Sequence, residues 1–554
     1  MSNDYRDTVF LPRTGFPMKA ALPQREPALA ERWDRLGLYG RLREASVGRE
    51  RFVLHDGPPY ANGHLHSGTA LNKILKDVVS RGRQMLGRDA PYVPGWDCHG
   101  LPIEWQVEQE YRKKGRNKDD VPVVQFRKEC RDYAEKWLGI QCSEFKRLGV
   151  VGDWENRYAT MDLAAEADIY RELGKSLLNG ELYRGLKAVM WSVVEKTALA
   201  EAEVEYHEVT STTVYVRFPV TKASAPALEG ASVVIWTTTP WTIPANRAVA
   251  YGAEIDYLVV RVDEAAEGSR VAPGDLLVVG AELLQAVATE ARIVTYTEVA
   301  ALKGAELAGT VCAHPLRGMA GAYDFDVPLL AGDFVTTDAG TGLVHIAPSH
   351  GEDDYELGAR NGLEVPETVA DDGSYTAAVP GFEGLKVFDG RRWHANAPVV
   401  EALAERGAVL ASGTLRHTYP HSWRSKAPIL FRATAQWFIP MEGPGRLRET
   451  ALAAIDATRF VPPRGKNRLR SMVEARPDWC VSRQRAWGVP IAVFFNEETG
   501  EILKDEAVNA RIADAFEVEG ADAWFKPDAK SRFLGNAVQN PEAWSKIDDI
   551  LDVW

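Results

Sequence analysis

Between His55 and Lys73 the chain reads HDGPPYANGHLHSGTALNK. Gly63 and Gly68 let the main chain come close to a ligand, and His64 and His66 stand where a helix is expected to begin. Free backbone N–H groups at a helix start attract phosphate, so this loop is a candidate phosphate cradle. A glycine turn with a capping histidine and a solvated ring is the other reading. A second loop, GWDCHG at Gly95–Gly100, puts Asp97 in a turn, where its carboxylate either caps the turn or holds an ammonium. The hydroxyl run Thr237, Thr238, Thr239 reads by itself as a β-strand face. The acidic stretch GEDDYELG carries Asp353 and Asp354.

The elements that must position these groups follow from periodicity. RFVLH from Arg51 reads as a strand, and the glycine-rich loop follows it. Leu71, Ile74, Leu75, Val78 and Val79 then fall at i, i+3, i+4, i+7 and i+8, which predicts a long amphipathic helix with its apolar stripe against a core. Strand, glycine loop and helix open a nucleotide-binding α/β unit. A helix-like stretch precedes it over Glu26–Leu42, PYVPGW reads as a further strand, and helical periodicity runs from Leu101 to about Val150 and from Leu163 to Leu186. From about Thr210, short runs such as TTVYVRF, SVVIWTTT and GLVHIA alternate with Gly, Pro and Asp turns at the spacing of a barrel. After about Gly413, helix-like TAQWFIP and LRETALAAID lead to DWCVSRQRAWGVPI and another strand, where the α/β core resumes. The expected organisation is an N-terminal arm over 1–50, a core first half with a helical flank over 51–205, an inserted β-rich domain over 206–405, and the core's second half over 406–554.

A chain of 554 residues and 61.2 kDa, 45% apolar and 26% charged, forms several folding units and is neither a disulfide miniprotein nor disordered nor fibrous. No apolar run approaches the roughly 18–20 residues of a membrane helix. MSNDYRDTVFLPRTG lacks the basic start and apolar stretch of a secretory signal, so a cytoplasmic location without a membrane partner is expected. Five scattered cysteines with no C-x-x-C pair suit a reducing compartment. The net charge of −13 repels nucleic acid at long range yet leaves room for a local basic face.

PPYANG, the H-x-G after it, ALNK and GWDCHGLPIE together resemble the class I aminoacyl-tRNA synthetases, and within them the isoleucine-specific branch rather than those for valine or leucine. The resemblance extends through WTTTPWTIPANRAVA at Trp236–Ala250, GTGLVHIAPSHGEDDYELG at Gly340–Gly358, YPHSWRSKAPILFRATAQWFI at Tyr419–Ile439 and DWCVSRQRAWGVPI at Asp478–Ile491. It implies an α/β fold, a class I Rossmann-type catalytic core split by an inserted β-barrel editing domain. It also implies ATP-dependent activation of L-isoleucine and transfer to tRNA(Ile), with ATP and its Mg²⁺ as cosubstrates, by a monomer.

By position the family's His-Ile-Gly-His signature falls on His66-Ser67-Gly68-Thr69. His66, Gly68 and Thr69 are thus the implied catalytic and ATP-binding residues, with a hydroxyl at Thr69 where the family has an imidazole, and His64 is a further candidate donor. Asp97 resembles the family's ammonium acceptor, Pro58, Tyr60 and Trp487 the pocket wall, and Gln484 a polar contact to the adenylate. Isoleucine against valine is the standard example of a one-methylene difference that a binding pocket rejects poorly, so a second, hydrolytic site is implied. Thr237, Thr238, Thr239, Asn246, His345 and Asp354 match it, with Asp354 as ammonium anchor and Asp353 as the alternative. The cysteine pairs that bind zinc in many relatives correspond to Ser192, Glu195, Ser422 and Ser425, so no zinc is expected. The family's second signature, Lys-Met-Ser-Lys-Ser, does not occur, and KIDDILDVW reaches Trp554 in a run that in the family continues into the active-site floor. The resemblance therefore implies a portion of a longer protein. An editing-only hydrolase and a non-catalytic tRNA-binding fragment are the alternatives.

Overall fold

The computed structural model describes residues 19–552 together with residues 5, 8–10 and 15. Much of the stretch read against a secretory signal, and Trp554, lie outside the described residues. The chain divides into two compact units, one made of the chain up to Leu173 with Ala486–Ile547, the other of Gly174–Arg485 with Asp548–Asp552.

The first unit contains α1 (Leu22–Leu36), α2 (Leu38–Glu44), α3 (Ser67–Met85), β1 (Gly95–Trp96), α4 (Leu101–Lys113), α5 (Val123–Arg147), β2 (Tyr158–Ala159) and the start of α6 (Leu163–Leu178). Its strands pair in parallel, Gly95 with Tyr158 and Trp96 with Ala159, and single parallel bridges join Arg51 to Asp89 and Tyr60 to Asp97. RFVLH thus supplies one bridge and not a strand. Around these pairs Trp96, Ile103, Phe126, Leu138, Phe145 and Trp487 form the core, drawn largely from α4 and α5.

Helix α3 forms where expected but presents the opposite face. Its apolar stripe is solvent-exposed, from Leu71 at 60% to Val78 at 59%, and its buried residues are Lys73 and Ser80. Burying a lysine requires a partner. Asp56 pairs with both Lys73 and Lys76, and Tyr92 Oη stands 2.8 Å from Lys73 Nζ and 2.8 Å from Asp56 Oδ2.

The second unit is mostly β: β3 (Tyr183–Ser192), β4 (Thr197–Ala198), β5 (Val204–Lys222), β6 (Ser232–Thr237), β7 (Ala248–Tyr251), β8 (Asp256–Ala265), β9 (Leu276–Gly280), β10 (Ile293–Lys303), β11 (Val311–Ala313), β12 (Asp326–Ala331), β13 (Leu343–Ile346), β14 (Val409–Ser422) and β15 (Leu430–Ile439). The spine is β5, which pairs with β14 along most of its length, with β6 over Val214–Pro219, and with β11 at its end. Val214, Val216 and Phe218 point inward at strand period and are fully buried. A ten-stranded sheet results, ordered β10-β8-β9-β6-β5-β11-β12-β7-β13 with β14 on β5.

This sheet does not close into the expected barrel, because its end strands β10 and β13 do not pair with each other. Strand β13 has only four residues, and β10 carries register shifts on its inner pairing, devices that twist and protect an edge. A separate four-stranded antiparallel sheet joins β4, β3, β15 and Trp479–Cys480. The stretch TAQWFIP, expected as helix, lies in β15, where Trp437 opposes Arg184 and Phe438 opposes Tyr183. The expected helix Leu163–Leu186 likewise ends at Leu178, and β3 begins at Tyr183.

Candidate functional site

In the first unit the loop before α3 is built around His66. Its Nδ1 accepts the N–H groups of Gly68 (3.1 Å) and Thr69 (3.3 Å), capping α3, so the ring proton sits on Nε2 and is donated to Thr69 Oγ1 at 3.1 Å. Gly68 eases this fold-back: a Cβ there would lie 3.0 Å from the His66 ring, which would have to shift to admit it. His66, Gly68 and Thr69 therefore form one cluster at the start of a 19-residue helix. His64 does not join it. Its Nδ1 meets Glu144 Oε1 at 2.5 Å, Leu65 N donates to the other oxygen at 3.0 Å, and its ring lies edge-on to Trp137.

Asp97 is buried within its turn, where Oδ1 accepts the His99 N–H at 3.3 Å. Its main chain pairs with the first loop, Asp97 N donating to Pro59 O and Ala61 N to Asp97 O, each at 2.9 Å. This pairing brings the half-buried Pro58 and Tyr60 beside the Asp97 turn. Trp487 is 0% exposed, with the His99 ring edge-on at 5.1 Å and the Arg127 and Arg131 guanidinium groups over its ring at 5.3 Å. It underlies the turn and presents no open wall.

In the second unit, Asn246, His345 and the threonine run form one hydrogen-bonded chain. Asn246 Nδ2 donates to Ala248 O (2.8 Å) and to His345 Nδ1 (3.3 Å). His345 Nε2 then donates to Thr242 Oγ1 (2.8 Å), which donates to Thr239 O (2.9 Å). Thr239 Oγ1 lies 3.1 Å from Thr237 Oγ1, whereas Thr238 takes no part. Burial pushes His345 down to about 3, so the ring is neutral at physiological pH. Asn246 Oδ1 is buried with no hydrogen-bond partner among the described residues.

Asp354 sits in the first turn of the helix Glu352–Arg360, and its Oδ1 accepts the Ala347 N–H at 2.7 Å, two residues beyond His345. Burial pushes its carboxyl up to about 6, while that N–H bond opposes the rise. Asp353 is exposed. Gln484 is committed within this unit: Oε1 accepts Ala198 N at 3.2 Å, and Nε2 donates to Gln436 Oε1 (3.0 Å) and Asp549 Oδ2 (3.1 Å). Thr242, a partner of His345, was not singled out in sequence, although its spacing within TTTPWT carries it.

Ser192, Glu195, Ser422 and Ser425 also come together. Glu195 Oε1 accepts Ser422 Oγ (2.7 Å) and Ser425 N (3.0 Å), and Ser192 Oγ accepts Glu195 N (3.3 Å). One carboxylate ties two turns that are distant in sequence, although its Oε2 is buried with no hydrogen-bond partner among the described residues. Glu195→Ala is expected to destabilise the chain by about 1–2 kcal/mol, the loss of two bonds to a charged acceptor less the relief of that oxygen, read as a lower midpoint in urea.

With this geometry the family model described as tRNA synthetases class I (I, L, M and V) matches residues 28–554, and the chain belongs to that family. More particularly, an isoleucine–tRNA ligase of Gluconobacter oxydans is 57% identical over 99% of this chain and 58% of its own length. One of Rhodopseudomonas palustris is 55% identical over 100% of this chain and 58% of its own length. The chain thus spans about 58% of the length of these relatives. A LeuRS of Agrobacterium radiobacter, solved in a ternary complex with tRNA and LeuAMS, is 17% identical over 96% of this chain and 58% of that one, with a TM-score of 0.36. No described helix is long and apolar enough to cross a membrane.

Proposed function

We propose that the chain is part of an isoleucine–tRNA ligase that activates L-isoleucine with ATP, passes it to tRNA(Ile) and hydrolyses valyl-tRNA(Ile). The observation that carries this reading is the identity of 57% to an isoleucine–tRNA ligase over 99% of the chain. Residues 51–205 and 406–554 serve as the catalytic core and 206–405 as the editing domain, with 1–50 as an arm. The protein acts as a cytoplasmic monomer.

In activation, the isoleucine carboxylate attacks the α-phosphorus of ATP and pyrophosphate leaves. The acyl group then passes from the adenylate to a terminal ribose hydroxyl of the tRNA, and AMP leaves. At the α3 start the Thr69 hydroxyl, whose oxygen accepts from His66 Nε2–H, donates its own proton to the phosphates, and His66 and Gly68 hold it in place, a donor fixed where charge develops. Asp97 holds the substrate ammonium, with Pro58, Tyr60 and Trp487 shaping its surroundings. Mg²⁺ accompanies the ATP phosphates, as it commonly does. No zinc enters this scheme. In editing, Asp354 anchors the ammonium of the misattached valine, and Thr237, Thr238, Thr239, Asn246 and His345 line the ester.

Isoleucine-dependent ATP–pyrophosphate exchange by the full-length protein tests the reading. Asp97→Asn is expected to raise the isoleucine KM about tenfold or more, the cost of one charge-assisted contact, with the ATP KM within about twofold. Exchange driven by valine instead of isoleucine, or hydrolysis of valyl-tRNA without any exchange, rejects the ligase assignment.

A further inference from the structure

Glu104, on the first turn of α4, is 3% exposed, and its Oε2 accepts two backbone N–H groups, from Ala486 at 3.1 Å and Trp487 at 2.9 Å. A buried carboxylate is tolerated when several hydrogen bonds satisfy it, and Lys118 Nζ stands 3.8 Å from its other oxygen. The same segment is held from its carbonyl side. The fully buried Arg127 donates through one nitrogen to Ala486 O (2.6 Å) and Gly488 O (2.9 Å), and through Nε to Asp522 Oδ1 (2.6 Å). The N–H and C=O groups of three consecutive residues are thus gripped by one anion and one cation. Such a device fixes backbone rather than fills space.

What it fixes is Trp487, and Trp487 reaches the Asp97 turn. Its Nε1 donates to Cys98 O at 2.6 Å, and Gly100 N donates to its carbonyl at 3.1 Å. Asp97 in turn pairs through its main chain with Pro59 and Ala61. One chain of hydrogen bonds therefore runs from Glu104 through Trp487 and the Cys98–Gly100 backbone to the loop that carries Pro58 and Tyr60. The geometry points to Glu104 as the positioning residue of the amino-acid site, setting isoleucine affinity and its discrimination from valine without touching the ligand. This rests on the assignment of Asp97, Pro58, Tyr60 and Trp487 to that site.

The test compares Glu104→Ala and Glu104→Gln with wild type in the full-length enzyme, by exchange kinetics and by amide hydrogen exchange at Ala486 and Trp487. Since a displacement of about 1 Å can cost about 100-fold, Glu104→Ala is expected to raise the isoleucine KM at least about tenfold and to narrow the isoleucine-to-valine ratio of kcat/KM. The ATP KM stays within about threefold, and both amides exchange faster. Glu104→Gln keeps an acceptor oxygen and recovers most of both effects, which also covers an alanine variant that fails to fold. Equal rises in both KM values, or a glutamine variant as impaired as alanine, overturn the positioning role while wild-type activity leaves the ligase assignment standing. Absence of isoleucine-dependent exchange in wild type overturns that assignment, and the role of Glu104 with it.

Discussion

Asp354→Asn is expected to stabilise the chain at pH 8 while lowering hydrolysis of valyl-tRNA about 100-fold, the loss that follows removal of one partner of a desolvated charge pair. Burial raises the folded carboxyl to about 6 against an ordinary value of 3.8. The folded state therefore binds more protons than the unfolded one between those values, and stability falls as pH rises from about 4 through about 6. Above that window the carboxylate carries its full penalty, at most about 3 kcal/mol and less because solvent reaches part of the group. Asparagine keeps an acceptor for the Ala347 N–H but does not ionise, so the gain appears at pH 8 and vanishes at pH 4. On the proposed anchor role function runs the other way: holding an ammonium needs the charged form, so editing is expected to rise with pH across about 6. Stored cost of this kind collects where a charge is needed. Thermal midpoints at both pH values, with deacylation of valyl-tRNA, check the pair. A less stable variant at pH 8 contradicts the burial argument, and unchanged hydrolysis contradicts the anchor, as it also does for Asp354→Ala, in which isoleucine attachment is expected to persist.

What is legible in the sequence is mostly local. Gly68 and the helix start beside it, the Asp97 turn, and the alternation that buries Val214, Val216 and Phe218 all follow from a few neighbouring residues. What is not legible depends on partners far along the chain. TAQWFIP has too few residues to show its period, and its antiparallel pairing with β3 makes it a strand. Closure of a barrel is a property of the whole ladder, and strand spacing does not reveal that β10 and β13 stay apart. Within the site, GWDCHGLPIE contains Glu104 but does not reveal its positioning role, and Arg127 gives no motif signal, because the backbone atoms that both hold lie more than 350 positions away. Helix α3 shows the same limit: its period is right, but the face it buries is chosen by Asp56 and Tyr92, which periodicity does not see.

That choice of face leads to the largest expected loss of stability. Asp56→Ala is expected to destabilise the first unit by about 3–5 kcal/mol, since it strands the ammonium of Lys73, a residue 2% exposed, while Asp56 itself is 1% exposed. Tyr92 Oη remains at 2.8 Å but bears no charge to offset the ammonium, and Phe145, whose ring centroid lies 5.3 Å from Lys73 Nζ, contributes only a quadrupole. Such a loss is a large part of the stability of an ordinary domain. The double variant Asp56→Ala, Lys73→Met exchanges the pair for apolar groups and is expected to recover most of it, an interaction that a double-mutant cycle isolates. Burial already holds Lys73 below its ordinary value, against the pull of Asp56. Without Asp56 it falls further, so the folded variant releases its proton at a lower pH than the unfolded chain. Between those two values the unfolded state binds more protons and stability rises with pH. The deficit of Asp56→Ala is therefore greatest near neutrality and shrinks toward pH 10, whereas the double variant shows no such recovery. Urea midpoints at pH 7 and pH 10 decide it, and a single-variant loss below about 1 kcal/mol at pH 7 means that Lys73 reaches solvent and that Asp56 does not set the face by which α3 presents His66 and Thr69.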